Sequence, residues 1–124
     1  MSTWVTICET CKREHWSEGD MSLTDGERLT SLVAEIKEEY PNIMTRTHAC
    51  LMGCSHGCNV TIQADGKMCY TIGNFKPNDI SARAILDYAQ LHYESEKGVI
   101  PYRDWPEDIK GHFISRHPPL PRKL

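Results

Sequence analysis

Six cysteines stand among 124 residues, and four of them form two close pairs: Cys8 and Cys11 in Cys-Glu-Thr-Cys, Cys50 and Cys54 in Cys-Leu-Met-Gly-Cys. Thiolates are soft ligands, and four around one point satisfy an iron-sulfur cluster or a tetrahedral zinc ion. Each pair keeps both its sulfurs on one local turn. The gap from Cys11 to Cys50 is long enough for a helix and a strand, so tertiary structure must bring the two turns together. A Cys-x-x-Cys pair also serves dithiol oxidoreductases, in which a helix starting at the pair lowers the first thiol's pKa. No helix signal follows Cys11. Lys12 to Met21 is charged, contains Gly19 and has no apolar period, so it reads as a loop.

The remaining candidate ligands are weaker. Cys58 repeats the spacing of Cys50 to Cys54 and has three readings: a ligand in place of Cys54, an exchange partner, or a small buried side chain beside Val60. Packing is preferred, because an unligated cysteine behaves as a small hydrophobe. Cys69 lies within a predicted strand and is expected in the core. His56 falls inside Cys-Ser-His-Gly-Cys, but four cysteines already suffice, so it reads as a loop residue that hydrogen-bonds near the site. His48 reads as a structural side chain, and His15, His92, His112 and His117 have no partner spacing.

The length suits one domain able to bury a core without covalent staples. A formal net charge of -3 and a pI near 6.0 provide no basic stripe for a phosphate backbone, which argues against nucleic acid as a partner. A basic protein remains a suitable partner. No run approaches the roughly 18 apolar residues of a membrane span, and Met-Ser-Thr-Trp-Val lacks the features of a signal peptide. The expected setting is a reducing cytoplasm, where cysteines read as ligands or redox groups before disulfides. There is no nucleophile elbow, Gly-x-Gly-x-x-Gly or phosphate loop, so hydrolysis and group transfer are not indicated.

The elements that must position the cysteines are legible. Thr3 to Ile7 is a β-branched and aromatic run that reads as a strand ending at Cys8. Thr24-Asp-Gly-Glu27 is a capping box, and Leu29, Leu32, Val33, Ile36 and Tyr40 continue as one helical stripe stopped by Pro41. Ile43 to His48 reads as a second strand. Strand, helix and strand form a right-handed βαβ unit with parallel strands, which delivers both cysteine pairs to the same edge. Val60 and Ile62, then Met68, Tyr70 and Ile72, alternate around Asp65-Gly66 as a hairpin. Asn78 caps a second helix carrying Ala82, Ile85, Leu86 and Ala89, with Lys97-Gly98 closing it. The expected domain is 1–98, an α/β (α+β) fold of βαβ followed by ββα. Its sheet is mixed and four-stranded, with flanking helices. Residues 99–124 form a C-terminal extension, with a short helix opening at Pro106, that packs on the domain or on a second subunit.

This order of elements resembles the thioredoxin-like 2Fe-2S ferredoxins, a group that includes the ferredoxin-like subunit of respiratory NADH dehydrogenase. The early Cys pair after the first strand, Ala-Cys-Leu-Met-Gly-Cys before a hairpin, and Ile-Gly-Asn-Phe before a helix carry the resemblance. The run Cys-Leu-x-x-Cys-x-x-Gly-Cys, here Cys50 to Cys58, is more similar still to a bacterial family of small predicted metal-binding proteins. The match spans Trp4 to Glu94. It implies a thioredoxin-like fold and a cluster held by Cys8 and Cys11 on one side and by Cys50 and Cys54 on the other. It also implies a redox partner protein (reductase or acceptor), a homodimer, and a link to cobalamin or metal metabolism. The spacing of Cys8 and Cys11 is narrower than is common among such ferredoxins.

Three functional classes follow in order. First is an electron carrier binding a 2Fe-2S cluster through four cysteines, with Gly53 and Gly57 letting backbone N–H groups approach the sulfurs. Second is a zinc-binding structural or interaction module, although zinc ribbons usually gather their pairs over a shorter gap. Third is a thiol-disulfide oxidoreductase, weakened by the missing helix after Cys11.

Overall fold

A computed structural model describes residues 2–52 and 57–121. Among the described residues, five strands, β1 (Thr3–Cys8), β2 (Ile43–His48), β3 (Val60–Gln63), β4 (Cys69–Ile72) and β5 (Phe113–His117), form one sheet in the order β2-β1-β3-β4-β5. β1 (Thr3–Cys8) and β2 (Ile43–His48) run parallel, with Cys8 level with His48. The predicted βαβ unit is therefore present, and both strands end at the same edge. β3 (Val60–Gln63) lies antiparallel to β1, and β4 (Cys69–Ile72) antiparallel to β3. The turn between them has Gly66 at φ 74° and closes with the Lys67 N–H on the Ala64 carbonyl at 3.2 Å. A backbone angle of that sign suits glycine, which is why Asp65-Gly66 marks the hairpin.

Helix α1 (Asp25–Ile36) begins with the capping box complete: the Glu27 N–H donates to Thr24 Oγ1 at 3.0 Å, and the Thr24 N–H donates to Glu27 Oε1 at 2.8 Å. Helix α2 (Asp79–Glu94) is capped by Asn78, which accepts from the Ser81 N–H at 2.9 Å. The two helices pack on each other and both touch β1, so they share one face of the sheet. Leu29 and Val33 from α1, with Ala82, Ile85, Leu86 and Ala89 from α2, meet Val5, Ile7, Ile43, Val60, Ile62 and Ile72 in one core. The period-two and helical patterns select these residues because each element has only one face to bury.

Three expectations from the sequence are corrected. The sheet has a fifth strand, β5 (Phe113–His117), paired antiparallel to β4 with a register shift at Thr71/Ile72. Its sequence does not alternate, so the pairing comes from contact with β4. The short helix expected to open at Pro106 is present as a 3-10 helix, Glu107–Ile109, with Pro106 at its N-cap. Helix α2 stops at Glu94, short of Lys97-Gly98, because Lys67 Nζ donates to the carbonyls of His92 at 2.9 Å and Tyr93 at 2.6 Å. Cys69 is half-buried on the face opposite Tyr70 and Ile72, since those two take the core side of β4.

His92, which carries no recognisable spacing in the sequence, is fully buried. Its Nε2 lies 2.7 Å from the Met68 carbonyl, an acceptor only, so Nε2 donates and Nδ1 accepts from the Thr3 hydroxyl at 2.9 Å. Burial holds the imidazole below its ordinary 6.5; the Met68 carbonyl opposes the shift and the Lys67 ammonium adds to it. The unfolded chain therefore takes up this proton before the folded chain does. The resulting stability is present above the unfolded pKa and is lost as pH falls from there toward the lowered folded value. The denaturation midpoint should decline from about pH 7.5 to about pH 5.5, and His92→Gln should flatten that decline. A wild-type midpoint constant across this range would contradict it.

Candidate metal centre

β1 delivers Cys8 to the sheet edge, where the chain leaves the ladder by two bonds. The Cys8 N–H donates to the Asn59 carbonyl at 3.1 Å and the Glu9 N–H to the His48 carbonyl at 3.0 Å. The loop that follows is fastened to the start of α1. Thr24 Oγ1 donates to the Glu9 carbonyl, the Gly26 N–H to the Cys11 carbonyl at 3.0 Å, and the Arg13 N–H to Asp25 Oδ2 at 2.6 Å. No helix begins at Cys11, as the sequence indicates, yet the N-terminus of α1 returns to the cysteine loop after the detour through Lys12–Leu23. Gly26 makes the approach possible: a Cβ there would lie 2.0 Å from the Cys8 carbonyl oxygen.

Cys8 and Cys11 are buried side by side. Burial alone would push the Cys8 thiol up. Hydrogen bonds from the Cys11 side chain, the Leu51 backbone and Thr10 outweigh it and hold Cys8 below its ordinary 9.0. Thr10 also ties the two cysteine loops together, since its hydroxyl donates to the Ala49 carbonyl.

The second loop opens at His48, whose Nδ1 lies 3.0 Å from the carbonyl oxygen of Cys50 and 3.3 Å from its nitrogen. His48 is thus the structural side chain expected, and it shapes the turn bearing Cys50. The Cys50 sulfur accepts from the Met52 N–H at 3.4 Å and is exposed. Gly57 brings the far end of this loop against the first: a Cβ there would stand 3.2 Å from the Lys12 carbonyl oxygen and 3.7 Å from Cys11 Cβ. Cys54, Gly53 and His56 lie outside the described residues. Among the described residues, no group of three or more His, Cys, Asp or Glu is placed to hold a metal ion.

Cys58 is fully buried in the hydrophobic core. Its thiol is pushed up to about 12, first by burial and then by the negative potential of Asp25, Cys11 and Cys8. A sulfur in that setting keeps its proton and packs as a hydrophobe. Cys69 is raised chiefly by burial, with a bond to Gln63 opposing it, and it stands on β4 away from the cysteine loops.

Cys8 and Cys11 are two soft donors of the kind a thiolate-bound group such as a 2Fe-2S cluster requires, whereas the described Cys50 is not grouped with them closely enough to complete a set of three. Cys8 and Cys11 pair at one edge, and backbone N–H groups of the two loops favour the Cys8 thiolate over its thiol. Sulfur-directed N–H groups of this kind stabilise cluster ligands. Asn59, beside Cys58, was not singled out by any sequence signal. It is fully buried, and its side-chain amide has no hydrogen-bond partner among the described residues.

Two solved structures share the fold, both from Aquifex aeolicus. A thioredoxin-like [2Fe-2S] ferredoxin is 18% identical at a TM-score of 0.54, with 95% of this chain and 94% of that chain covered. The wild-type thioredoxin-like [2Fe-2S] ferredoxin, solved at 1.5 Å, is 19% identical at a TM-score of 0.52, with 92% and 97% covered. The fold is therefore thioredoxin-like. No curated protein matches the sequence. A family model described as "Protein of unknown function (DUF1636)" matches residues 5–119, and the chain belongs to that family.

Proposed function

We propose that this protein is an electron carrier that binds a 2Fe-2S cluster through Cys8, Cys11, Cys50 and Cys54. One observation carries the reading: Thr10, between Cys8 and Cys11, donates its hydroxyl to the carbonyl of Ala49, next to Cys50, so the two cysteine loops meet at a single edge. The fold shared with the two Aquifex ferredoxins supports it. Such a cluster supplies reversible one-electron capacity when bound. Cys8 and Cys11 would hold it from the loop fastened to α1, and Cys50 and Cys54 from the loop that follows β2. The exposed Cys50 would put one side of the centre near solvent, where a redox partner protein can approach.

Anaerobically purified protein should be red-brown, with visible absorbance that bleaches on dithionite and about two irons and two sulfides per chain. A colourless protein with one zinc per chain would replace the carrier with a zinc-binding module.

A further inference from the structure

Asn59 is fully buried, and neither Oδ1 nor Nδ2 finds a hydrogen-bond partner among the described residues. A buried amide left unpaired destabilises the fold that contains it, and few are retained without a ligand, a water or a strain to account for them. The backbone shows where this one stands. β1 and β3 are in register through Ile7↔Val60, and the Cys8 N–H donates to the Asn59 carbonyl at 3.1 Å. That bond extends the ladder by one step and sets Asn59 directly across from Cys8. Opposed residues of an antiparallel pair project to the same face with their Cβ atoms about 5 Å apart. Cys58 and Val60, on either side of Asn59, both belong to the hydrophobic core. By strand alternation the amide lies on the other face, the face of Cys8.

We propose that the Asn59 side chain is a positioning donor for Cys8, its Nδ2–H donating to the Cys8 sulfur once that sulfur is bound to the metal centre. The inference rests on the reading of Cys8 as a ligand. Without that bond the amide has no partner among the described residues. In the loaded protein it neutralises part of the thiolate charge, which strengthens retention and favours the more negative, reduced state. Asn59 therefore has opposite effects on the two forms, which a packing residue would not.

Asn59→Leu is nearly isosteric and removes both polar atoms. In the full-length metal-free protein it should raise the thermal midpoint. In the loaded protein it should speed metal release to a chelator by about 10-fold and lower the reduction potential. Should the leucine variant fail to fold, Asn59→Ala carries the release and potential measurements. A lowered metal-free midpoint for Asn59→Leu would overturn the proposal, because the amide would then already be satisfied. Unchanged release and potential in iron-loaded protein would overturn it while leaving the cluster reading intact. If the wild type holds zinc, the cluster reading fails, and faster zinc release from the leucine variant still supports Asn59 as the donor.

Discussion

Cys8→Ser is expected to abolish cluster binding, with visible absorbance lost and iron content near zero, while the far-ultraviolet circular dichroism stays that of a folded protein. The expectation follows from where the sulfur sits. Cys8 is the last residue of β1 and accepts hydrogen bonds from Leu51, Thr10 and Cys11, so its thiolate is the best prepared of the described cysteines. Serine preserves the size of the group but provides a harder oxygen of much higher pKa, a poor substitute for a soft ligand. Leu29, Val33, Ile85 and Leu86 pack against Val5, Ile7, Val60 and Ile62 in a core to which the Cys8 side chain does not belong. The same loss is expected for Cys11→Ser, Cys50→Ser and Cys54→Ser. Cys69→Ser should retain the cluster, and so should Cys58→Ala, at a stability cost from the lost core contact. Iron and sulfide analysis of the six variants reads the result. Loss in Cys58→Ala together with retention in Cys54→Ser would assign the fourth sulfur to Cys58.

The second large effect is at Gly26, where local and tertiary physics predict opposite signs. Near the start of a helix, alanine in place of glycine lowers the backbone entropy lost on folding and by propensity stabilises by about 1 kcal/mol. At Gly26 the added Cβ would lie 2.0 Å from the Cys8 carbonyl oxygen and 2.9 Å from the Glu9 carbonyl carbon. Both are backbone atoms and cannot swing aside. The first turn of α1 must retreat, weakening the Gly26 bond to Cys11, the Thr24 bond to Glu9 and the Asp25 bond to Arg13. Gly26→Ala should destabilise by about 3 kcal/mol or more and impair metal retention. Gly19→Ala, with nothing within 4 Å of its Cβ, should stay within about 0.5 kcal/mol of wild type. Urea denaturation midpoints of the two variants decide the matter. A stabilised Gly26→Ala would show that α1 does not press on the cysteine loop.

Much of the architecture is local and therefore legible. The Thr24 capping box, the helical stripes of both helices and the Asp65-Gly66 turn each depend on residues within a few positions of one another. The parallel pairing of β1 and β2 follows from the length of their connection. β5 is different, because Phe113–His117 has no alternation and becomes a strand only through β4. The end of α2 is set by Lys67, distant in sequence, and the roles of His92 and Thr3 depend on a contact spanning most of the chain. The candidate site divides in the same way. The cysteine types and spacings identify the chemistry, whereas the difference between Cys8 and Cys58 depends on burial and on which N–H groups point at each sulfur.

By itself the sequence determined two thiol pairs and the two helices and first four strands that carry and follow them. Only the tertiary structure decided that the start of α1 returns to the Cys8–Cys11 loop, that Thr10 ties that loop to Ala49, that Cys58 stays a protonated core thiol, and that the buried Asn59 amide has no partner among the described residues. The physical reason is range. Periodicity and capping are short-range and are written in neighbouring residues, while desolvation and the partners of a buried polar group depend on atoms that only the folded chain brings near.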